Sequence, residues 1–485
     1  MAMSSHWIGK IDLLVEQMLR AARVPGAGLA VVAEGKTALA KGFGYRDLHA
    51  KLPMTAATVY PIASTTKGIN ATLLGMLVDE GRLAWDTPVQ TYLPRFRLKD
   101  PLISPQVTVR DLITMRTGLP PHDWVFIENP ISRAELVECL RHLDLSAGLR
   151  ERYQYNNLTV TLAGHVAEVI TGRSWDELVR EKILEPLEMR STVFRMPPGG
   201  NVTLSYHENS RRELLESKRL EADVTAPSGG AIHSTVEDMA RWALFNLNGG
   251  CVATRSLIDP KTLAELQSPQ MLIAGGPSAR KLNASYAMGW TLDTYNGFSR
   301  ISHGGYLHDI TTEILLFPRE GIGIVAFMNF GPPRLALTLG EHVFDLITGG
   351  SPVHSIARKL EEYERNVESV RLRDASLQRS ESAPPSHALA DYAGMYVHPG
   401  YGRIDVLLSE GALVFRRGYL SLPLEHWHYD AWVVAENNLF EIDQPHAFDR
   451  ANRFLFETDA EGRIAALSVR LEPSAALIRF EKGRG

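Results

Sequence analysis

Ser64 and Lys67 are the residues whose types and spacing most directly suggest chemistry in this sequence. They lie three positions apart near the start of a stretch, 61–81, in which apolar residues recur at helical spacing, so we expect both side chains on one helix face. A serine hydroxyl becomes a nucleophile when a base takes its proton, and a lysine whose pKa is lowered by burial can be that base. The pair therefore predicts a nucleophile and its base. The alternative for Ser64 is a helix N-cap, which serine also favours.

The same spacing occurs a second time, at Ser278 and Lys281. The residues around this second pair are mainly Gly, Pro, Ser and Arg, which favour a loop over a helix. Spacing alone is therefore unspecific, and the sequence must supply further polar groups that could act with one of the two pairs.

Tyr155 and Asn157 form a second candidate group, two residues apart before a helix that we predict over 159–171. A phenol near an ammonium group has a lowered pKa and can move a proton between nucleophile and leaving group. An asparagine amide can orient the lysine and bind a substrate carbonyl. The alternative is a loop rich in Tyr and Asn whose rings pack on the core.

The third candidate group is His303 with Gly304 and Gly305, in a stretch that leads from one predicted strand towards the next. Glycines let a substrate lie against a strand edge, and exposed N–H groups on that edge can stabilise an oxyanion together with the N–H of Ser64. His303 could bind a substrate carboxylate or take part in proton transfer. The alternative is a hairpin with a solvent-facing histidine.

Composition limits the partners that this chain is expected to have. Its 485 residues include 45% hydrophobic and 22% charged residues, as in ordinary globular proteins, and its net charge of −5 argues against nucleic-acid binding. Two cysteines cannot form a disulfide framework, and no apolar run is long enough to cross a membrane. The N-terminus lacks a basic segment followed by an apolar one, so we expect a cytoplasmic protein without membrane or nucleic-acid partners.

The three groups must be positioned by secondary structure, and in the first part of the chain we predict strands, then helices, then strands again. We predict a helix over 8–22, two strands joined as a hairpin near residue 35, and a mainly helical middle that includes 132–184 and 234–245. Strands return at 288–293, 300–302, 311–317 and 322–329. This order predicts one sheet assembled from both ends of a domain, with a helical lobe beside it and a ligand site between them.

The last part of the chain has a different pattern. A charged helix is predicted over 354–378, and 380–387 is a linker by composition. Short strands with turns at intervals of about 8–12 residues follow, which predicts a small β-barrel or sandwich. We therefore expect a main domain at 1–352, a helix and linker at 353–386, and a barrel at 387–485.

In their order and context, Ser64-x-x-Lys67, Tyr155-x-Asn157 and His303-Gly-Gly305 resemble the three signatures of the serine β-lactamase/penicillin-binding-protein-like superfamily. The resemblance is closest to its S12 peptidase and esterase branch, which includes class C β-lactamases, and it covers roughly residues 8–350. The tail resembles a lipocalin-like barrel appended to peptidases of that branch. The resemblance implies an α/β fold in which a β-lactamase/transpeptidase-like antiparallel sheet packs on an all-helical lobe, plus a small C-terminal β-barrel.

The resemblance also implies a role for each residue of the first two groups. Ser64 would be the acylated nucleophile and Lys67 its base. Tyr155 would be the second acid and base, which activates the water or amine in deacylation. Asn157 would orient Lys67 and the acyl amide.

For the third group, the resemblance implies an oxyanion hole made by the backbone N–H groups of Ser64 and Tyr306, beside Gly304 and Gly305. His303 occupies a position that is lysine in most β-lactamases of the family, and a neutral imidazole is a weaker anchor for a carboxylate than an ammonium group. This favours esterases or peptidases over β-lactamases. The stretch 307–311 departs from the small residues expected there and gives no further indication.

We therefore expect a serine hydrolase without metal or cofactor that forms an acyl-enzyme with short peptides, amides or carboxylic esters. The resemblance adds selectivity for D-amino acids and a homo-oligomeric state. One alternative is a β-lactamase or DD-carboxypeptidase; an alternative of another class is a catalytically silent ligand-binding or scaffold protein. The barrel could bind ligand, close over the cleft or mediate oligomerisation.

Overall fold

The structure is a computed structural model that describes residues 7–208, 212–217, 223–274, 284–307, 309–331, 334–353, 355–377, 383–418, 420–435 and 452–483. The second Ser-x-x-Lys pair, Ser278 and Lys281, lies outside these residues, as does the start of the predicted linker, 380–382. None of the described helices is long and apolar enough to cross a membrane.

Helices fill the middle of the chain, and several of their ends follow local signals in the sequence. The helices are α1 (Ile8–Ala22), α2 (Thr66–Asp79), α3 (Val89–Tyr92), α4 (Val109–Ile113), α5 (Arg133–Cys139), α6 (Asn157–Thr171), α7 (Trp175–Val179), α8 (Val236–Leu247), α9 (Pro260–Leu266), α10 (Leu335–Thr348), α11 (Ile356–Ser376) and α12 (Leu389–Tyr392). Thr108 caps α4, because its side chain accepts a hydrogen bond from the Asp111 N–H. Gly81 and Gly172 follow α2 and α6 with positive φ values of 68° and 69°, as glycine allows.

One antiparallel sheet joins the two ends of the main domain, as the sequence predicted. The strands in chain order up to this sheet's last member are β1 (Gly26–Ala33), β2 (Lys36–Asp47), β3 (Leu52–Pro53), β4 (Tyr60–Pro61), β5 (Tyr206–Glu208), β6 (Leu214–Glu216), β7 (His233–Ser234), β8 (Cys251–Val252), β9 (Arg255–Ser256), β10 (Met271–Leu272), β11 (Ser285–Tyr286), β12 (Thr291–Tyr295), β13 (Phe298–Leu307), β14 (Ile310–Phe317) and β15 (Ile322–Met328). The sheet order is β10-β11-β12-β13-β14-β15-β1-β2-β3, and β4 to β9 form three separate two-stranded pairs. The front and back of the chain meet where β1 pairs with β15.

The central strands are buried on both faces because helices cover each side. Every residue of β1, β14 and β15 is buried. Alternate residues of β1 point to opposite faces, so Leu29 packs in the cluster that includes α1 and α10, whereas Ala30 packs in the cluster that includes α8. The second of these clusters extends into the helical lobe, and the candidate functional residues lie on that side.

The C-terminal strands close into a barrel of eight antiparallel strands. They are β16 (Gly394–His398), β17 (Gly402–Ser409), β18 (Ala412–Arg417), β19 (Leu420–His428), β20 (Ala431–Val434), β21 (Phe454–Thr458), β22 (Ile464–Val469) and β23 (Ile478–Lys482). Pairing of Tyr396 with Lys482 joins the first strand to the last. The expected fold class, an antiparallel sheet with helices and a small C-terminal barrel, is therefore confirmed.

Two local predictions are wrong, and tertiary packing explains both. The helix predicted over 234–245 starts at Val236 and is capped by Thr235, because Ser234 is instead buried in β7. The strand predicted over 288–293 is interrupted at Gly289, which has a φ of 76°. A Cβ there would come within 2.4 Å of the Lys67 carbonyl oxygen, so this turn lies directly against α2.

Candidate active site

Ser64 lies in a 3₁₀ turn, Ala63–Thr65, that leads directly into α2. Ala63 is buried with a φ of 47°, a left-handed conformation that costs a non-glycine residue energy and is held here by the surrounding structure. A Cβ on Gly229 would lie 2.8 Å from the Ser64 nitrogen, so this glycine admits the turn. Thr65 occupies the N-cap position of α2, and the N-cap interpretation of Ser64 is therefore wrong.

Lys67 is fully buried one helical turn after Ser64 and has three polar neighbours. Its Nζ lies 2.9 Å from Ser64 Oγ, 2.7 Å from Asn157 Oδ1 and 2.5 Å from the Ser228 carbonyl oxygen. Burial disfavours the ammonium form and lowers the pKa of Lys67 to about 7, although the nearby Asp123 carboxylate opposes this shift.

The three contacts of Lys67 decide what its neutral form can do. A neutral amine carries two N–H donors and one lone pair. The Asn157 and Ser228 oxygens are carbonyl oxygens, which only accept, so they take the two N–H groups. The lone pair is then left for the third neighbour, the Ser64 hydroxyl. This arrangement suits a base that removes a proton from Ser64.

Tyr155 contacts the Ser64 hydroxyl from another direction. Its OH donates a hydrogen bond of 2.7 Å to Ser64 Oγ, and Lys67 Nζ lies 4.7 Å from the centre of its ring. The expectation of a lowered Tyr155 pKa is wrong, because burial raises that pKa above its ordinary value and outweighs the nearby charge. Tyr155 thus holds its proton at neutral pH and acts as a donor.

Asn157, the first residue of α6, uses both ends of its amide. Its Oδ1 accepts from Lys67, and its Nδ2 donates to Asp123 Oδ1 at 3.1 Å. Burial raises the pKa of Asp123 to about 6, while the Asn157 amide and Lys67 favour its charged form. Asp123 was not among the residues predicted from the sequence.

His303 is buried on β13, so the solvent-facing alternative is wrong. Its Nδ1 lies 2.6 Å from the Gly304 carbonyl oxygen and therefore carries the proton, which leaves Nε2 to accept from the Tyr286 OH at 3.1 Å. Burial, together with Lys67, lowers the pKa of His303 to about 3. The imidazole is consequently neutral, with both nitrogens engaged by protein groups.

The strand β13 extends beyond its neighbour β12 and leaves an edge beside Ser64. The β12 pairing with β13 ends at Thr291 opposite Ser302, whereas β14 pairs with β13 as far as Leu307. Among the described strands, none pairs with 303–307 on the β12 side. A Cβ on Gly305 would lie 2.9 Å from Ala63 Cβ, so this glycine lets the strand approach the nucleophile turn closely.

The structure therefore brings the three predicted groups together around Ser64, and it adds partners that sequence reasoning missed. The Tyr306 OH donates to Asp309 Oδ1 at 2.8 Å, and the Tyr306 backbone lies in the part of β13 that extends beyond β12 and pairs with β14. Ser228 lies in a Pro-Ser-Gly-Gly stretch, 227–230, whose glycines were the one available signal. Asp123 and Tyr286 have no local pattern that would identify them.

Comparisons with known proteins agree with this fold. A family model described as Beta-lactamase matches residues 11–346, and a model described as a domain of unknown function, DUF3471, matches 378–482. The chain is 27% identical over 421 residues to the unguisins hydrolase ungD′ of Aspergillus campestris, an alignment that spans 82% of this chain and 77% of that protein. It is 27% identical over 368 residues to protein flp of Staphylococcus aureus, across 73% of this chain and 69% of that protein.

Among solved structures, the octameric penicillin-binding protein homologue from Pyrococcus abyssi is similar over 98% of this chain and 100% of its own, with a TM-score of 0.64. Sequence identity in that comparison is 21%, so it supports the fold.

Proposed function

This chain belongs to the beta-lactamase family, and from that premise we propose that it is a serine hydrolase that cleaves short peptides, amides or carboxylic esters through an acyl-enzyme at Ser64. The observation that carries the proposal is the environment of Lys67. Its pKa is near 7, two carbonyl oxygens accept its N–H groups, and Ser64 Oγ lies 2.9 Å away. A lysine in this state is a base at neutral pH.

In the acylation step, Lys67 takes the Ser64 proton while Oγ attacks the substrate carbonyl carbon. The backbone N–H groups of Ser64 and Tyr306 would stabilise the resulting oxyanion. Tyr155 donates its proton to the leaving amine or alcohol as the carbonyl bond to that group breaks, and Lys67 returns a proton to Tyr155. The products are an ester on Ser64 and the released amine or alcohol.

Deacylation reverses the roles of the same groups. A water molecule gives a proton through Tyr155 to Lys67 and attacks the ester carbonyl. The bond to Ser64 Oγ then breaks, Lys67 gives the proton it received to Oγ, and the acid product leaves. Asn157 keeps Lys67 in place in both steps through the 2.7 Å contact with its oxygen.

The substrate class follows from the edge of β13 and from His303. A peptide or extended ester can lie along 303–307, on the side of β13 where the pairing with β12 has ended. His303 is neutral, with both ring nitrogens engaged, so it is a weak anchor for a substrate carboxylate. Neutral acyl groups are therefore preferred over β-lactams or peptides that must be held by a free carboxylate at this position.

The test is intact-mass spectrometry and turnover with p-nitrophenyl esters, D- and L-aminoacyl p-nitroanilides and a penicillin. Ser64→Ala is the inactive variant, and Ser278→Ala, in the other Ser-x-x-Lys pair, is the matched control. We expect an adduct on the wild type and on Ser278→Ala that is absent from Ser64→Ala, with turnover of esters or anilides. A stable penicillin adduct without ester turnover would instead indicate a penicillin-binding protein, and neither adduct nor turnover would favour a ligand-binding role.

The assembly and domain limits are part of the same proposal. The structural relative from Pyrococcus abyssi is octameric, which supports a homo-oligomer here, and sedimentation analysis measures this directly. Domain limits at 352 and 386 predict that limited proteolysis cuts first within 353–386.

A further inference from the structure

The C-terminal barrel reaches into the helical lobe through the buried Arg417, on β18. Its guanidinium donates to the Trp124 carbonyl oxygen at 2.7 Å, to the Ile127 carbonyl oxygen at 3.0 Å and to the Tyr401 carbonyl oxygen at 2.7 Å. Burial lowers the pKa of Arg417 to about 10, so the group remains charged at neutral pH. A buried cation requires such acceptors, and here two of the three belong to the lobe.

A second barrel residue holds the same lobe segment one residue before Asp123. Glu472 is buried and accepts the His122 backbone N–H at 3.2 Å. The His122 ring is fixed as well, because Nε2 donates to the Asp144 carbonyl oxygen at 2.8 Å and Nδ1 accepts from the Tyr401 OH at 2.5 Å. Contacts from both the lobe and the barrel therefore keep His122 in its left-handed conformation, with a φ of 49°.

The segment that these contacts hold carries Asp123, in the short 3₁₀ turn Asp123–Val125. Asp123 accepts from Asn157 Nδ2, and an ionised carboxylate can only accept. It therefore turns the amide so that Asn157 Oδ1 faces Lys67. If Asp123 moved away, the amide could rotate and present its N–H groups to Lys67, which would remove an acceptor from the base.

We propose that Asp123 is a positioning residue for Lys67 and that the barrel, through Arg417 and Glu472, keeps Asp123 in place. This rests on the proposed hydrolase function. The barrel is then a structural part of the active site. Arg417 and Glu472 fix the segment that carries Asp123, Asp123 orients the Asn157 amide, and that amide positions Lys67. None of these barrel residues touches Ser64 in the described contacts.

The test compares kcat, KM and the pH profile of p-nitrophenyl ester hydrolysis in full-length variants. Asp123→Asn keeps the shape of the side chain but removes its charge. Arg417→Met removes the guanidinium group and with it the three hydrogen bonds to carbonyl oxygens. Arg479→Met is the matched control, because Arg479 is a half-exposed barrel arginine that pairs with Glu457 and Glu481. Thermal melting establishes that each variant is folded.

We expect Asp123→Asn and Arg417→Met to lower kcat up to roughly 100-fold, because a small displacement of a reacting group costs about that much. KM should change little. The titratable groups that face Lys67 are Asp123, Tyr155 and His303, and Asp123 itself faces Glu472. Because Asp123 favours the charged form of Lys67, its loss should move the acid limb of the profile to lower pH. A purely structural role would leave that limb in place.

The double variant Asp123→Asn/Arg417→Met distinguishes an effect of Arg417 that acts through Asp123 from a general loss of stability. If Arg417 acts through Asp123, the double variant should be about as active as Asp123→Asn alone, whereas independent effects would multiply. Unchanged pH profiles in both single variants, or multiplied losses in the double one, would overturn the inference. Full activity of Ser64→Ala would instead overturn the proposed function, so the two failures are distinguishable.

Discussion

Acidification should stop hydrolysis by protonating Lys67, because burial lowers the pKa of this residue to about 7. At pH 8, about nine tenths of the molecules then carry the neutral base, and at pH 5 about one hundredth do. The value of kcat/KM for an ester should therefore fall roughly 100-fold between these two pH values. An ordinary lysine with a pKa of 10.5 would be neutral in only about one molecule in 3000 at pH 7.

The assay is initial-rate hydrolysis of a p-nitrophenyl ester from pH 5 to pH 9 at constant ionic strength, with Ser64→Ala as background. Tryptophan fluorescence at each pH shows that the protein stays folded. Asp123, with a pKa of about 6, titrates in the same range and makes the acid limb less steep than that of a single group.

Lys67→Arg tests the same reasoning from the other direction. A guanidinium group keeps the positive charge but cannot serve as a base at these pH values, so activity should fall by roughly 10²–10⁴-fold at pH 8, where most wild-type molecules carry the neutral lysine. An acid limb above pH 9 in the wild type, or a Lys67→Arg variant that retains activity, would refute Lys67 as the base.

Three further predictions concern stability. Relative to Lys67→Met, the free energy of unfolding of the wild type should rise by about 1.4 kcal/mol per pH unit between pH 7 and pH 10, because the unfolded lysine binds a proton that the buried one does not. Urea unfolding at several pH values measures this difference, and a rise towards acid pH would contradict it. Ala63→Gly should raise stability by about 1 kcal/mol, since glycine accepts a φ of 47° without strain, and a lowered melting temperature would contradict this. Arg300→Met should cost about 3–5 kcal/mol in the free energy of unfolding, because it leaves the buried carboxylates Asp293 and Glu341 without their shared partner, and a loss below 1 kcal/mol would count against it.

The sequence was sufficient for the parts of the site that local spacing encodes. Lys67 follows Ser64 by about one helical turn, in the first turn of α2, and the spacing of three residues makes their proximity visible without a structure. That this pair lies close to Tyr155, Asn157 and His303 was predicted from the family resemblance, since no local pattern joins groups that are 90 or more residues apart.

What the sequence could not predict depends on burial and on contacts between distant segments. The raised pKa of Tyr155 follows from enclosure by the folded protein, which outweighs the neighbouring charge. Asp123 lies 34 residues before its partner Asn157, in a segment without periodicity. At α8, two overlapping cap patterns begin at Ser234 and Thr235, and only the pairing of Ser234 in β7 decides between them.

The pairing of β1 with β15 has a consequence for biosynthesis. Gly28 lies opposite Phe327, about 300 residues later, so one edge of the buried strand β1 lacks its partner until most of the main domain has been made. At roughly 5–20 residues per second, a ribosome needs about 15–60 s to supply that partner. During this interval β1 and β2 can form only a hairpin with an exposed apolar edge, the kind of surface that recruits chaperones or aggregates. Chains that stop before β14 should therefore accumulate as insoluble fragments, and slow elongation through 30–310 should increase dependence on chaperones.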